Sequence, residues 1–355
     1  MRNILLSALF LAILVPGLSQ ANSGSGPNLP NDPRTALETA LPFYDFASPG
    51  LKPWHLKATY RFYDEKGKPS QQGTWEYWWA SPKVHRSHWT RAGLESTEWS
   101  TAEGAVYKKG TGSPLRHFER TIENTVISPL PARAVVDSGG MALELKLLPP
   151  RNPKFACVFA TVRSPSNRKP LTPSGDMTSE YCFEPPAMAL RMTNASHITN
   201  LYNQIVKIEG HFLAREVEIK YANQPLFSVS VNTIEGFQPV ASDFSPPSDA
   251  VFERVVTTPQ EKAGSYLAVG TLVRRTQPIY PMISKMDREQ GIVLLAAVIG
   301  TDGEVHDPEV LASPSPRLTQ SAVEAVKTWQ YTPYLLNGQP VEVETVVNVI
   351  FSLGR

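Results

Sequence analysis

The chain has 355 residues, of which 41% are hydrophobic and 19% charged, with a formal net charge of +1. It is long enough for two domains and a sizeable core, and its composition is that of an ordinary globular protein. The near-neutral balance, with no block of like charge, excludes a nucleic-acid surface and a charged interaction tail, and the 32 prolines are scattered through turns rather than gathered in PxxP tracts.

The first segment reads as a secretory signal. Arg2 supplies the positive start, residues 4–15 the apolar run, Pro16 and Gly17 the break, and Ser19-Gln20-Ala21 the small-x-small cleavage site. The run is too short for a comfortable bilayer span. The expectation is removal of residues 1–21 and an exported mature chain, with an uncleaved N-terminal anchor as the competing reading.

One helix opens the mature chain. Asn31 or Asp32 can cap it, Pro33 suits its first turn, and Ala36, Leu37, Ala40 and Leu41 share a face. Turn signals then recur about every ten residues to position 111, separating short aromatic and β-branched runs as in consecutive antiparallel hairpins. The pattern resumes at 203–208, 214–221 and 226–233, where "REVEIKY" and "FSVSVNT" alternate as strands with one buried face do.

Cys157 and Cys182 lie in apolar, strand-like runs separated by a Ser/Pro/Asn/Arg-rich loop. Export favours a disulfide over two buried thiols, and a bridge closing about 26 residues stabilises by roughly 3 kcal/mol in the chain-entropy picture. Signals for catalysis are weak. "DSGG" at 137–140 lacks the preceding glycine of a serine-protease nucleophile stretch and reads as a turn. His85 and His88 are three apart on a strand, so they face opposite sides and cannot share a metal. An apolar setting argues against Cys157 as a nucleophile. The expectation is a non-enzymatic protein with no cofactor, no metal and no nucleic-acid partner.

The last eighty or so residues differ in kind. Tyr280-Pro281 precedes a short amphipathic helix at 282–288. Two strands follow, joined by a turn at Asp302-Gly303. Ser315 can cap a second helix with Pro316 in its first turn, and Leu318, Ala322, Ala325, Val326 and Trp329 fall on one face. After Asn337-Gly338, the positions Val341, Val343, Thr345, Val347, Val349 and Phe351 alternate along one long closing strand at 341–353. The order α-β-β-α-β is that of a small α+β unit with helices on one face of an antiparallel sheet.

These residues, in this spacing, resemble the C-terminal domain of the TonB family over about 272–354. Tyr280-Pro281, Gly291, Asp302-Gly303, Ala325 with Trp329, Tyr331-x-Pro333 and Gly338-Gln339-Pro340-Val341 carry the likeness. The resemblance implies a domain that binds an outer-membrane partner, whose short segment adds a strand to the sheet. The partner-binding edge is then the closing strand, from Val341 to Phe351. The other readings are that the strand is long merely to cover the helices, or that it pairs two copies into a homodimer. The family's energy transducers carry a membrane anchor and a long Pro-rich spacer. Here the N-terminal segment reads as cleavable and a folded unit stands in the spacer's place, and this departure from the family argues against energy coupling.

Residues 31–252 resemble, less closely, the LolA/LolB-like lipoprotein-carrier superfamily. The likeness rests on the opening helix followed by hairpins, on "WEYWWASPKVHRSHW…TAEGAVYK", and on "DFSPPSDAVFE". It implies a mainly antiparallel, curved, half-barrel-like sheet wrapping the helix. An apolar ligand cavity lined by Trp75, Tyr77, Trp79 and Trp89 would suit an acyl chain; the same rings can equally fill a core. The expected organisation is therefore α+β throughout: signal 1–21, carrier-like unit 31–252, linker 253–271 and TonB-like unit 272–355. The functional expectation is a periplasmic binding module for a membrane or periplasmic protein, with a lipid or lipoprotein carrier as the alternative.

Overall fold

The computed structural model describes residues 30–353 except 65–66, 112–115, 132–135, 137–141, 149–154, 164–176, 186, 196–197, 222, 256–266, 269–271 and 337. The signal segment and the "DSGG" stretch lie outside the described residues. Among the described residues, no helix is long and apolar enough to cross a membrane.

The chain is α+β. The opening helix, Pro33–Tyr44, starts at Asp32, whose carboxylate accepts the Thr35 N–H at 2.7 Å. Thirteen strands then build one antiparallel sheet: β1 (Trp54–Tyr63), β2 (Pro69–Trp79), β3 (His85–Arg91), β4 (Leu94–Ser100), β5 (Ala105–Thr111), β6 (Ala142–Leu148), β7 (Ala156–Arg163), β8 (Met177–Glu184), β9 (Ala189–Ala195), β10 (Ile198–Ile208), β11 (His211–Tyr221), β12 (Gln224–Gly236) and β13 (Val251–Val255). Their spatial order is β13-β5-β4-β3-β2-β1-β12-β11-β10-β9-β8-β7-β6. The sheet is open, since β13 and β6 are its two edges.

A second helix, Arg116–Ile127, lies between β5 and β6 and was not among the expected elements. It buries Ile122 and Val126, one turn apart, against the same core as the opening helix. The segment after β12 also has a structural role. Phe237 donates its N–H to Pro53 O, Phe244 is buried, and Arg86 donates to Asp243 O at 3.0 Å. This strap leads from β12 at the middle of the sheet past β1 to β4 and delivers β13 to β5.

Cys157 and Cys182 face each other across β7 and β8 and are joined as a disulfide, both buried. Alkylation of denatured, unreduced protein should label neither residue, and reduction should lower stability by roughly 3 kcal/mol; two labelled thiols would show the bridge absent.

The C-terminal part adds β14 (Leu267–Ala268), β15 (Leu272–Arg274), a short helix Met282–Met286, β16 (Gly291–Ile299), β17 (Val305–Ala312), a longer helix Pro316–Val326, β18 (Gln330–Tyr331), β19 (Tyr334–Leu336), β20 (Gln339–Val341) and β21 (Val343–Phe351). The expected linker is thus strand in part: β13 pairs with β5 and β14 with β19.

Around β16 a separate core forms. Val293, Leu295, Ala297 and Ile299 meet Leu318, Ala322 and Val326 of the longer helix. Trp329 joins this core from just past the helix, which ends at Val326. The alternate residues of β16, Leu294, Ala296 and Val298, are buried as well. A strand buried on both faces explains the unbroken apolar run "IVLLAAVI". At this reverse side the Tyr221 hydroxyl of β11 donates to Asn348 Oδ1 at 3.4 Å, and Leu311 packs on the N-terminal core.

Candidate functional site: a free strand edge

The three central strands of the C-terminal unit are ordered β17-β16-β21, so β17 and β21 are both edges. They are not equivalent. β17 contains Pro308, which has no N–H to offer, and its register on β16 shifts twice. Asp307 beside the proline has φ +45°, and Asp307 and Glu309 add charge. Proline, irregular register and charge blunt an edge against pairing. By contrast, β21 runs in unbroken register against β16, from Gly291↔Phe351 to Ile299↔Val343. Among the described residues no strand pairs with its outer side. It is a regular, open edge with a row of backbone donors and acceptors.

The closing strand is shorter than the alternation suggested. β20 ends at Val341 and pairs with β19 in a different small sheet; Glu342 interrupts, and β21 then runs from Val343 to Phe351. Alternation with period two continues through a change of sheet, because it reports side-chain facing and not partner identity. Val341 therefore belongs to β20 and is not on the β21 edge. Val347, Val349 and Phe351 are buried in the helix-facing core, so any part they take in binding is through backbone groups. The side chains of Val341, Val343 and Thr345 lie outside the described ones.

What holds this edge in place is the hairpin and the helix. Gly303 at the β16–β17 turn has φ +80°, and a Cβ there would lie 2.0 Å from the Tyr331 carbonyl oxygen. The Tyr331 N–H donates to Gly303 O at 2.8 Å, closing β18 onto the turn. Ser315 caps the longer helix by accepting the Leu318 N–H. Glu289 accepts from Ser284 and Ser315 at 2.6 and 2.7 Å and from Arg317 at 2.9 Å. Those hydrogen bonds, Ser284 first, and the Arg317 charge hold its carboxyl below the usual range.

The four aromatic residues expected at a cavity wall are all buried and packed on one another. Trp75 stacks on Trp89 with ring centroids 5.1 Å apart, Trp54 stacks on both Tyr77 and Trp79, and Tyr60 meets Trp89 edge-on. They face the core that the two N-terminal helices cover. Two surface clefts, of about 390 and 540 Å³, are lined by other residues: Lys108, Lys109 and Asp249 in the first, Lys52, Glu209 and His211 in the second.

His85 and His88 lie on opposite faces of β3: His85 stacks on Tyr77, while His88 Nδ1 meets Thr97 Oγ1 at 2.8 Å. One exposed trio does gather. Asp302, Glu304 and His306 bring ligand-type atoms within 4.8 Å of one another at the hairpin turn. The turn accounts for it: Asp302 Oδ1 accepts the Glu304 N–H at 2.8 Å and meets His306 Nε2 at 3.4 Å.

Residues 276–353 match the family model described as Gram-negative bacterial TonB protein C-terminal. A curated relative, Protein TonB of Vibrio cholerae serotype O1, is 31% identical over 80 residues, covering 22% of this chain and 33% of that protein. The chain thus spans about a third of that relative's length. Among solved structures, a DUF1329 family protein from Desulfovibrio piger is 9% identical at TM-score 0.39, covering 60% of this chain and 98% of that one. A LolA superfamily protein from Nitrosomonas europaea is 9% identical at TM-score 0.35, covering 59% and 97%. A putative outer membrane lipoprotein-sorting protein domain from Vibrio parahaemolyticus is 6% identical at TM-score 0.34, covering 54% and 89%. Likeness this distant bears on neither ligand nor partner.

Proposed function

We propose that the protein is a non-enzymatic binding module of the periplasm linked to envelope transport. Its C-terminal unit, 272–355, takes up an extended segment of an outer-membrane or periplasmic protein as a fourth strand on β21. Its N-terminal unit, 31–252, serves as a second binding surface. The match of residues 276–353 to the TonB C-terminal family supports the class of activity. The observation that carries the site is the asymmetry of the two edges, one broken by Pro308 and shifted register, the other regular and unpaired among the described residues. Strand addition draws its affinity from main-chain hydrogen bonds, so a straight edge with uninterrupted register is the one that can form the ladder. The reading supplies a binding role without energy coupling.

Proline replacement tests it, because proline removes a backbone donor. Glu344→Pro, Val346→Pro and Asn348→Pro sample one alternate set of β21 amides, Thr345→Pro the other set and Ser352→Pro the residue just past the strand. All leave the core-facing Val347, Val349 and Phe351 in place. Partners are recovered by cross-linking and pull-down from envelope material. At least one variant should keep wild-type circular dichroism and lose roughly tenfold or more of the recovered partner. Retention of the partner by every folded variant would move binding to a helical face or to the N-terminal unit. Stoichiometric acyl chains in a lipid extract of the purified protein would instead support a lipoprotein or lipid carrier, with the C-terminal unit pairing copies.

A further inference from the structure

Residues 279–286 carry an apolar face that nothing in the described fold covers. Ile279, Met282, Ile283 and Met286 are 82%, 71%, 55% and 75% exposed. Met282, Ile283 and Met286, spaced by one and three residues, fall on one side of the short helix, and Ile279 stands exposed in the lead-in before it. A contiguous exposed apolar patch on a globular unit marks an interaction surface, whereas single exposed residues mean little.

The opposite side of this segment is pinned. Ser284 is fully buried and donates to Glu289 Oε2. The Tyr280 hydroxyl donates to Glu289 O, and its ring meets Phe351 edge-on at 5.3 Å. Ser321 Oγ donates to Ile279 O from the longer helix. The four apolar side chains are therefore held outward by a fixed backbone.

Charge names the occupant. The acids of the segment are engaged: Asp287 and Glu289 both accept from Arg317 at 2.9 Å. Its cations have no carboxylate partner among the described residues. Lys285 rests over the Tyr280 ring at 5.7 Å, Arg288 is exposed, exposed Arg274 ends the preceding strand, and exposed Arg275 follows it over the Trp329 ring. The surface is a set of strongly exposed, flexible apolar side chains flanked in sequence by positive charge. That arrangement does not enclose a ligand. It does complement a layer that is apolar at shallow depth and anionic at its surface.

We propose that this face is a membrane-surface anchor. Ile279, Met282, Ile283 and Met286 enter the boundary between headgroups and acyl chains of an anionic phospholipid layer, while Lys285 and Arg288 meet the phosphates. Tyr280 lies against Phe351, so the anchor sits at the carboxyl end of β21. Docking would hold the free edge close to a membrane, but the anchor does not depend on strand pairing and is tested apart from it.

Amide hydrogen exchange on the full chain reports this segment by its own peptides. Vesicle binding through the apolar run at 4–15, common to both vesicle types, is told apart by the dependence on anionic lipid and on the variant below. The probes are vesicles of equal parts phosphatidylglycerol and phosphatidylcholine, and vesicles of phosphatidylcholine alone. With the anionic vesicles, exchange over 282–288 should slow by roughly fivefold or more, and the effect should fall with added salt. Phosphatidylcholine alone should leave it unchanged. The Met282→Glu/Met286→Glu double variant should lose the slowing while exchange in β16 and β21 stays at the wild-type rate. No slowing with anionic vesicles, or equal slowing in the variant, overturns the anchor. Slowing that rises with protein concentration in the absence of vesicles also overturns it, and assigns the patch to a contact between copies.

Discussion

Replacing Trp89 with alanine should destabilise the N-terminal unit by about 3–5 kcal/mol, among the largest losses a single change can bring. Trp89 is almost wholly buried. It pairs across the sheet with Trp75, their rings are stacked at 5.1 Å, and Tyr60 closes on it edge-on at 5.5 Å. Alanine would leave an indole-sized void on the core face of the sheet, between the Trp75 and Tyr60 rings and beneath the helices, which a close-packed core closes only in part. Its neighbour His88 points the other way and has one side-chain hydrogen bond, to Thr97. His88→Ala should cost about 1 kcal/mol. Urea unfolding of the two variants makes the comparison. The contrast also separates core from cavity. If Trp89 lined a ligand space, its removal would enlarge that space at little cost to stability, and a midpoint shift no larger than that of His88→Ala would reopen the carrier reading.

The second large effect concerns the helix that steadies the proposed edge. Trp329→Ala should cost about 3–5 kcal/mol. Its ring lies in the core between the longer helix and the sheet, under the Arg275 guanidinium at 5.0 Å. Its Nε1–H also donates to Thr276 O at 2.9 Å, holding the lead-in strand to the helix end. Trp329→Phe retains most of the filling and loses only that donor, for about 1–3 kcal/mol. Amide exchange in β16 and β21 should report both losses locally, with the alanine variant opening the C-terminal unit while the large sheet stays protected. Partner recovery should fall in the same order. If Trp329→Ala left exchange in β21 unchanged, something other than the helix would be holding that strand straight.

The sequence by itself determined the types and order of the elements wherever local chemistry decides them. Asp32 and Ser315 were readable as caps because a short oxygen-bearing side chain before a helix has one favourable use. Asp302-Gly303 was readable as a turn, and the α-β-β-α-β order with Trp329 and Pro333 was readable as a TonB-type C-terminal unit. Cys157 and Cys182 were readable as a pair because both lie in apolar, strand-like runs of a chain expected to be exported.

The helix Arg116–Ile127 was missed although its signal was there: Phe118, Ile122 and Val126 recur every four residues, the spacing of one helical face. Other features depended on partners distant in the chain. The strap from Phe237 to Phe244 and the pairing of β13 with β5 join residues well over a hundred positions apart. Period two fixes which way a side chain faces, but it is silent on which strand lies alongside. For that reason the change of sheet at Glu342 was invisible in the run from Val341, as was the outer side of β21. The double burial of β16 was written in the sequence as an unbroken apolar run, but what covers its second face is a matter of packing. So was the outward face of the short helix: the same Met and Ile residues would be core if Ser284, Tyr280 and Glu289 did not pin the opposite side.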